Sequence, residues 1–314
     1  MDTRRIGSLE VSVVGLGCNN FGWRLDEARS AEVIASALDA GIAFFDTADL
    51  YGGTESEQFL GRALAPLRDR VVLATKFGWQ LDERRRGASP AYVRSAAEAS
   101  LRRLRTDRID LYQLHRPDPT VPIEETLGAL EELVRAGKVR EIGCSNFSAE
   151  QLRAAAAVAP SSRARAARFA SVQNEYSLLQ RNAEAEVLPE CERLGLAFLP
   201  YFPLASGLLT GKYRLGAPPP EGTRLTTAAG GRASVLGERS LERVEALARF
   251  AESRGRTLLE LAVSWLLSRR PVASVIAGAT SPAQVRANAA AASWRLDAAE
   301  LAAVDVLLGD ALPA

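Results

Sequence analysis

Histidine occurs once in this 314-residue chain, methionine once and cysteine three times. The cysteines, Cys18, Cys144 and Cys191, fall in no CxxC or Cys/His spacing, which argues against a disulfide framework and against a zinc site. Small buried fillers are their plainest reading. Excess charge is missing too: 39 basic against 38 acidic residues give a net charge of +1, so nothing points to nucleic acid or an acidic membrane surface as a partner. No run of about 18 apolar residues occurs, and the N-terminal MDTRRIGSLEVSVVG lacks the apolar stretch of a signal peptide. A cytoplasmic location is therefore expected. Lysine is the last scarcity. Only Lys76, Lys138 and Lys212 break the dominance of arginine, so each is a candidate for a position that needs a compact, titratable ammonium. Taken singly, each is equally what a biased composition leaves behind.

What is present is a chain 47% hydrophobic and 25% charged, enough for a sizeable core. RRIGSLEVS predicts an N-terminal hairpin with Gly7-Ser8 as its turn. Eight strand candidates follow: VVGLG from Val13, AFFD from Ala43, VVLAT from Val71, IDLYQLH from Ile109, VREIGCS from Val139, ASVQNE from Ala170, LAFLPY from Leu196 and VASVIAGA from Val272. Between them, a helical period predicts helices over 30–40, 55–64, 90–105, 123–136, 149–157, 184–194 and 258–269. The long interval from Tyr201 to Val272 holds the Gly/Pro-rich GAPPPEGTR and TTAAGGRAS and an extra helix at about 240–254; it reads as a lid or a disordered segment. A terminal helix is expected near 298–308. Eight strands alternating with helices predict a single (β/α)8 TIM-barrel domain over 1–314, with an N-terminal β-hairpin and extra helices after strand seven and at the C-terminus. A doubly wound Rossmann sheet would want GxGxxG after its first strand, and GLGCNNFG has the wrong spacing.

In such a barrel the chemistry belongs at the carboxyl ends of the strands. FFDTADLYGG follows the second strand, ATKFGW the third and LHRPDP the fourth. Asp46, Lys76 and the lone His115 each end an apolar strand, and Tyr51 lies in the loop after Asp46. A carboxylate, a phenol, an ammonium and an imidazole thus gather round one mouth. Singly they also read as a turn residue, a packing ring, a surface charge and a strand cap.

The motifs FDTAxxYG, xTKxG and LHRPD, in that order, resemble those of the aldo-keto reductase superfamily. The likeness continues through GCSNF at 143–147, SVQNEYS at 171–177, YFPLASGLLTGKY at 201–213 and GATSPAQVRAN at 278–288. It is nearer the branch of the potassium-channel β subunits than that of the steroid and aldose reductases. The resemblance implies a catalytic tetrad of Asp46, Tyr51, Lys76 and His115 that reduces an aldehyde or ketone to an alcohol with NADPH, NADH remaining possible. Tyr51 would be the general acid, Lys76 would lower its pKa, Asp46 would fix Lys76, and His115 would orient the carbonyl oxygen.

For the cofactor the resemblance implies Ser145, Asn146 and Gln173 at the carboxamide and Tyr201 stacked on the nicotinamide. Leu204, Ser206, Gly207 and Leu209 would cover the pyrophosphate, with Lys212 as a phosphate partner. Ser281-Pro282 should open a helix whose amides face phosphate, with Gln284 and Asn288 at the adenine. Many members bind the 2′-phosphate of NADPH through a lysine after strand eight and an arginine in the next helix; here those positions are Gly278 and Gln284. Arg224 in the lid is the substitute candidate. Phe21, Trp23 and Trp79 are candidates for an apolar substrate wall. The chain ends soon after its terminal helix, so a more open site for aldehydes, short ketones or sugar derivatives is expected. The expected partner is a small-molecule carbonyl compound, with no nucleic acid, membrane or metal, and a monomer as default with self-association possible. Two alternatives stay open: an NAD(P)+-dependent dehydrogenase of sugars or secondary alcohols, and a nucleotide-binding regulatory subunit with little turnover.

Overall fold

The computed structural model describes residues 1–158, 168–221, 223, 225 and 237–309. A hairpin opens the chain. β1 (Thr3–Ile6) and β2 (Leu9–Ser12) pair antiparallel, with Ile6 opposite Leu9 and Gly7-Ser8 as the turn. Gly7 has φ +56°, and a Cβ there would strike the Glu141 carboxylate, which accepts the Ser8 N–H at 2.8 Å. Glycine alone suits both demands.

Eight parallel strands follow: β3 (Val14–Gly17), β4 (Phe44–Asp46), β5 (Val72–Phe77), β6 (Ile109–Leu114), β7 (Val139–Ser145), β8 (Phe169–Glu175), β9 (Ala197–Tyr201) and β10 (Val275–Gly278). Neighbours in sequence pair in space, β10 pairs with β3, and Phe198 bridges Val272 to close the ring. This is the expected barrel. Its last strand is shorter than the run from Val272, because the chain changes partner within it. Phe198 N donates to Pro271 O and Ala273 N to Phe198 O, holding β9, and from Val275 onward the pairing is with β3.

The helices are α1 (Glu27–Asp39), α2 (Glu55–Leu64), α3 (Pro90–Leu104), α4 (Ile123–Arg135), α5 (Ala149–Val158), α6 (Val187–Leu194), α7 (Glu238–Glu252), α8 (Leu258–Leu267), α9 (Pro282–Ala290) and α10 (Ala298–Leu308). Side-chain caps start several of them: Asp26 for α1, Ser89 ahead of Pro90 for α3, and capping boxes Thr257/Glu260 and Asp297/Glu300 for α8 and α10. α6 begins at Val187 rather than at 184, where a short 3-10 turn over Asn182–Glu184 stands instead. Pro189 has no N–H to donate, so it fits only within a first turn. α7 and α10 are the two extra helices, and much of the expected lid lies outside the described residues. Among the described residues no helix is long and apolar enough to cross a membrane.

Alternation along the strands splits the buried side chains into two cores. Outward residues such as Phe45, Leu73, Tyr112 and Val172 pack beneath the helices. Inward residues Phe44, Ala74, Leu111, Leu199 and Ile276 fill the lower barrel, joined by Ile6, Leu9 and Val11 of the hairpin, which plugs the N-terminal end.

Candidate active site

Two residues further along those strands, the inward positions turn polar. Phe44 gives way to Asp46, Ala74 to Lys76 and Leu111 to Gln113, and on β8 Gln173 follows the inward Ser171. Lys76 is 0% exposed and Asp46 3%. The ammonium donates to Asp46 Oδ2 at 2.6 Å and to Thr47 O at 2.8 Å. Asp46 Oδ1 accepts from Gln113 Nε2 at 3.1 Å and from Gln173 Nε2 at 3.0 Å. Unpaired, either charge would be too costly to bury; paired and hydrogen-bonded from both sides, they are held. Gly143 on β7 leaves the room, since a Cβ there would lie 2.6 Å from Ser171 Oγ and 3.2 Å from Gln113 Cγ.

Tyr51 stands over this pair. It opens a 3-10 turn, Tyr51–Thr54, that needs Gly52 at φ +58°, where a Cβ would lie 2.4 Å from Phe21 O. Lys76 Nζ is 5.2 Å from the Tyr51 ring centroid. His115, just past β6, meets Tyr51 edge to face with centroids 5.9 Å apart, and Trp79 lies 5.2 Å from His115 on the other side.

The electrostatics add the effect of burial. Burial raises the Tyr51 pKa above its ordinary value; the Lys76 charge pulls it down, but not enough to reverse the shift. Lys76 thus lowers the Tyr51 pKa as expected of it, while desolvation outweighs the ammonium and sets the net direction upward. For Lys76, burial disfavours the charge, yet Asp46 and Tyr51 outweigh it and raise the pKa. His115 is driven well below its ordinary value by burial, helped by the charges of Lys76 and Arg116, so its imidazole is neutral. Its Nδ1 has no hydrogen-bond partner.

Asp46, Tyr51, Trp79 and His115 open on a cavity of ≈ 960 Å³ at the carboxyl end of the barrel. A connected set of polar groups forms part of its wall. Ser145 Oγ donates to Gln173 O at 2.6 Å, Asn146 Nδ2 to His115 O at 2.9 Å, and Tyr201 OH to Asn146 Oδ1 at 2.8 Å. Gln173 also lines the wall, with its amide N–H engaged by Asp46. Further round, Leu204, Ser206, Gly207 and Lys212 line the cavity after β9, and Gly278, Gln284 and Asn288 line it after β10.

Not every expected residue faces this space. Leu209 and Phe21 are 0% exposed and belong to the core beneath the helices. Trp23 is 49% exposed and off the lining. Ser281 caps α9 by accepting the Gln284 N–H at 3.4 Å and does not reach the cavity wall. Arg224 lies outside the described residues. Conversely, the sequence reading missed Gln113, which holds Asp46, and Asn20, Arg24 and Arg116, which line the cavity. Strand alternation could have found Gln113, because it points inward with Leu111 and precedes His115 by two. An arginine carries no such signal in a chain that uses arginine everywhere.

The cavity fits an extended phosphorylated ligand. Phe202, Ala205 and Ser206 take φ +48°, +46° and +59°, a cluster of left-handed non-glycine residues held by the surrounding loop. Ser206 Oγ is buried in the wall without a partner, as is Asn20 Oδ1. Gly207, at φ +99°, brings its backbone so close to Lys212 that a Cβ would lie 3.1 Å from Nζ. An orphaned hydroxyl, a glycine approach and an ammonium suit the phosphates of a dinucleotide, and a cavity of ≈ 960 Å³ exceeds what a small carbonyl compound needs.

Comparison with known proteins agrees with this geometry. The profile of the Aldo/keto reductase family matches residues 13–308. The aldo-keto reductase YhdN of Bacillus subtilis (strain 168) is 37% identical over 313 aligned residues, covering 96% of this chain and 91% of that protein. The solved structure of a glycerol dehydrogenase from Gluconobacter oxydans superposes with a TM-score of 0.84 at 34% identity, covering 98% of this chain and 95% of that one. With its barrel, its buried Asp–Lys pair under a tyrosine and these relatives, the chain belongs to the aldo/keto reductase family of oxidoreductases.

Proposed function

We propose that this protein reduces aldehydes and ketones to alcohols with NADPH, and that Tyr51 delivers the proton. One observation carries the reading: Tyr51 stands over the buried Lys76–Asp46 pair and beside His115, on the wall of one cavity of ≈ 960 Å³ that also takes in Lys212, Gln284 and Asn288. The nicotinamide, when bound, supplies the hydride to the carbonyl carbon. The protein supplies position and a proton. Tyr51 and His115 both donate to the carbonyl oxygen, which gains negative charge as the hydride arrives. The Tyr51 proton passes to that oxygen, and Lys76 beneath the ring stabilises the phenolate left behind until solvent reprotonates it. Asp46 keeps Lys76 charged and still, and Gln113 and Gln173 keep Asp46 in place. Carbonyl compound, NADPH and one proton become alcohol and NADP+.

Ser145, Asn146 and Gln173 would orient the carboxamide, and Tyr201 would stack on the ring. Lys212 and Ser206 would take the phosphates, and Gln284 and Asn288 the adenine. Preference for NADPH over NADH rests on Arg224: an Arg224→Ala variant should lose NADPH affinity and keep NADH affinity. The same tetrad runs in reverse, and the likeness to a glycerol dehydrogenase supports oxidation of a polyol with NADP+ as a second reading. Loss of NADPH absorbance with a panel of aromatic, aliphatic and dicarbonyl aldehydes, set beside NADP+ reduction with polyols, decides between them. Reduction of aldehydes faster than oxidation of any polyol supports the first reading. Polyol oxidation alone supports the second, and cofactor binding with neither activity refutes both.

A further inference from the structure

The substrate end of the cavity carries more positive charge than the tetrad needs. From β3 to β6 the loops stand in barrel order, contributing Arg24, then Tyr51, then Trp79, then His115 with Arg116. The two guanidinium groups therefore come from the loops that flank those of Tyr51 and Trp79. Arg116 is exposed and lies over the Trp79 ring, Cζ 4.8 Å from its centroid, while Trp79 in turn packs 5.2 Å from His115. One indole thus separates the carbonyl-orienting imidazole from a guanidinium. Among the described residues no carboxylate lies within ion-pair distance of Arg116; Asp118, close in sequence, spends its oxygens on the Ala88 and Thr120 N–H groups and the Thr120 hydroxyl. Among the described residues that line the cavity, Asp46 is the only carboxylate, and it is already bound to Lys76. The third cation of the wall, Lys212, belongs to the loop after β9, on the side that suits the dinucleotide phosphates.

We propose that Arg116, with Arg24, forms an anion subsite at the cavity mouth, so that the preferred substrates are carbonyl compounds bearing a carboxylate or phosphate a few bonds from the reacting carbon. This rests on the reductase reading above and narrows its substrate class. The Trp79 ring holds the guanidinium over its face, and the planar fork suits a carboxylate or phosphate in a bidentate grip. Because Arg116 is exposed, the gain is at the modest end for a charged contact and is screened by salt.

The test compares matched pairs: para-formylbenzoate against para-formylbenzamide, and glyceraldehyde phosphate against glyceraldehyde. Each pair is assayed with NADPH in wild type, Arg116→Gln and Arg24→Gln, at low and high salt. Comparing the anionic-to-neutral ratio between proteins cancels intrinsic reactivity. The expected result is a ratio of kcat/KM about two- to fivefold higher in wild type than in Arg116→Gln, expressed in KM, and shrinking as salt rises. A benzoate effect without a phosphate effect, or the converse, tells which anion is meant. A ratio that Arg116→Gln leaves unchanged in both pairs overturns the subsite while the reductase reading stands. Failure to reduce any of the four aldehydes, with NADPH still bound, overturns the reductase reading and this proposal with it.

Discussion

The two ends of one barrel, two residues apart along the same strands, are built on opposite principles. At the N-terminal end Phe44, Ala74, Leu111 and Leu199 form one apolar cluster with the hairpin residues Ile6, Leu9 and Val11. At the carboxyl end Asp46, Lys76, Gln113 and Gln173 occupy the next inward layer, every charge met by a partner. The lower layer makes the upper one affordable: a rigid apolar plug fixes the strands so that a buried ion pair meets its three outside partners, Thr47, Gln113 and Gln173, within about 3 Å. The backbone differs as well. Five of the six left-handed non-glycine residues among the described residues, Thr54, Asn146, Phe202, Ala205 and Ser206, lie beyond strand ends at the carboxyl end, and the sixth, Arg105, caps the C-terminus of α3.

That contrast can be broken from either side. Removing the upper cation should do the most damage. Lys76→Met leaves the Asp46 carboxylate buried without its counter-ion, and denaturant melts should show about 3–5 kcal/mol lost along with all reductase activity. Truncating the lower layer should separate the two properties. Leu111→Ala should cost about 2–5 kcal/mol by opening a cavity, while the folded fraction at low temperature keeps its kcat. If kcat fell with it, the two layers would not be separable.

A subtler contrast lies within the upper loop. Asp46 is fully partnered, whereas Asp49, three residues on and 1% exposed, has a 3.4 Å contact from Tyr92 OH and one oxygen with no partner. Burial, reinforced by the nearby Glu57 charge, pushes its pKa up to about 7. A raised folded-state pKa means the native state holds the proton longer than the unfolded chain, whose carboxyl titrates near 4. Asp49 thus favours the fold at acid pH, and that contribution fades as pH rises through about 7. Asp49→Asn should melt higher than wild type at pH 8, with the advantage shrinking or reversing at pH 5. His115 works with the opposite slope. Its folded-state pKa is depressed, so stability is present above about 6.5, the ordinary histidine value, and falls as pH drops below it.

Much of this layout was legible in the sequence. The eight apolar runs gave the barrel, and three strand-end motifs located Asp46, Tyr51, Lys76 and His115 at one mouth. What sequence could not supply was depth. Phe21 and Trp23 sit two residues apart in one loop, one wholly buried and the other half exposed, and no local pattern separates them. The net shift of Tyr51 also depends on depth, because Lys76 and burial pull in opposite directions and only the packed structure sets the balance. Arg24 and Arg116 were hidden by the composition itself, while Gln113 was hidden in an apolar strand whose alternation does reveal it.

The central claim is that the upper layer works by proton delivery from Tyr51, and one substitution addresses it alone. Tyr51→Phe keeps the ring, its packing against His115 and the buried pair beneath, and removes only the hydroxyl. Measured by NADPH consumption with the best aldehyde, alongside cofactor binding by fluorescence, the account predicts a kcat lower by about 10²–10⁴ with NADPH affinity and melting temperature close to wild type. A Tyr51→Phe protein that retained wild-type kcat would contradict it.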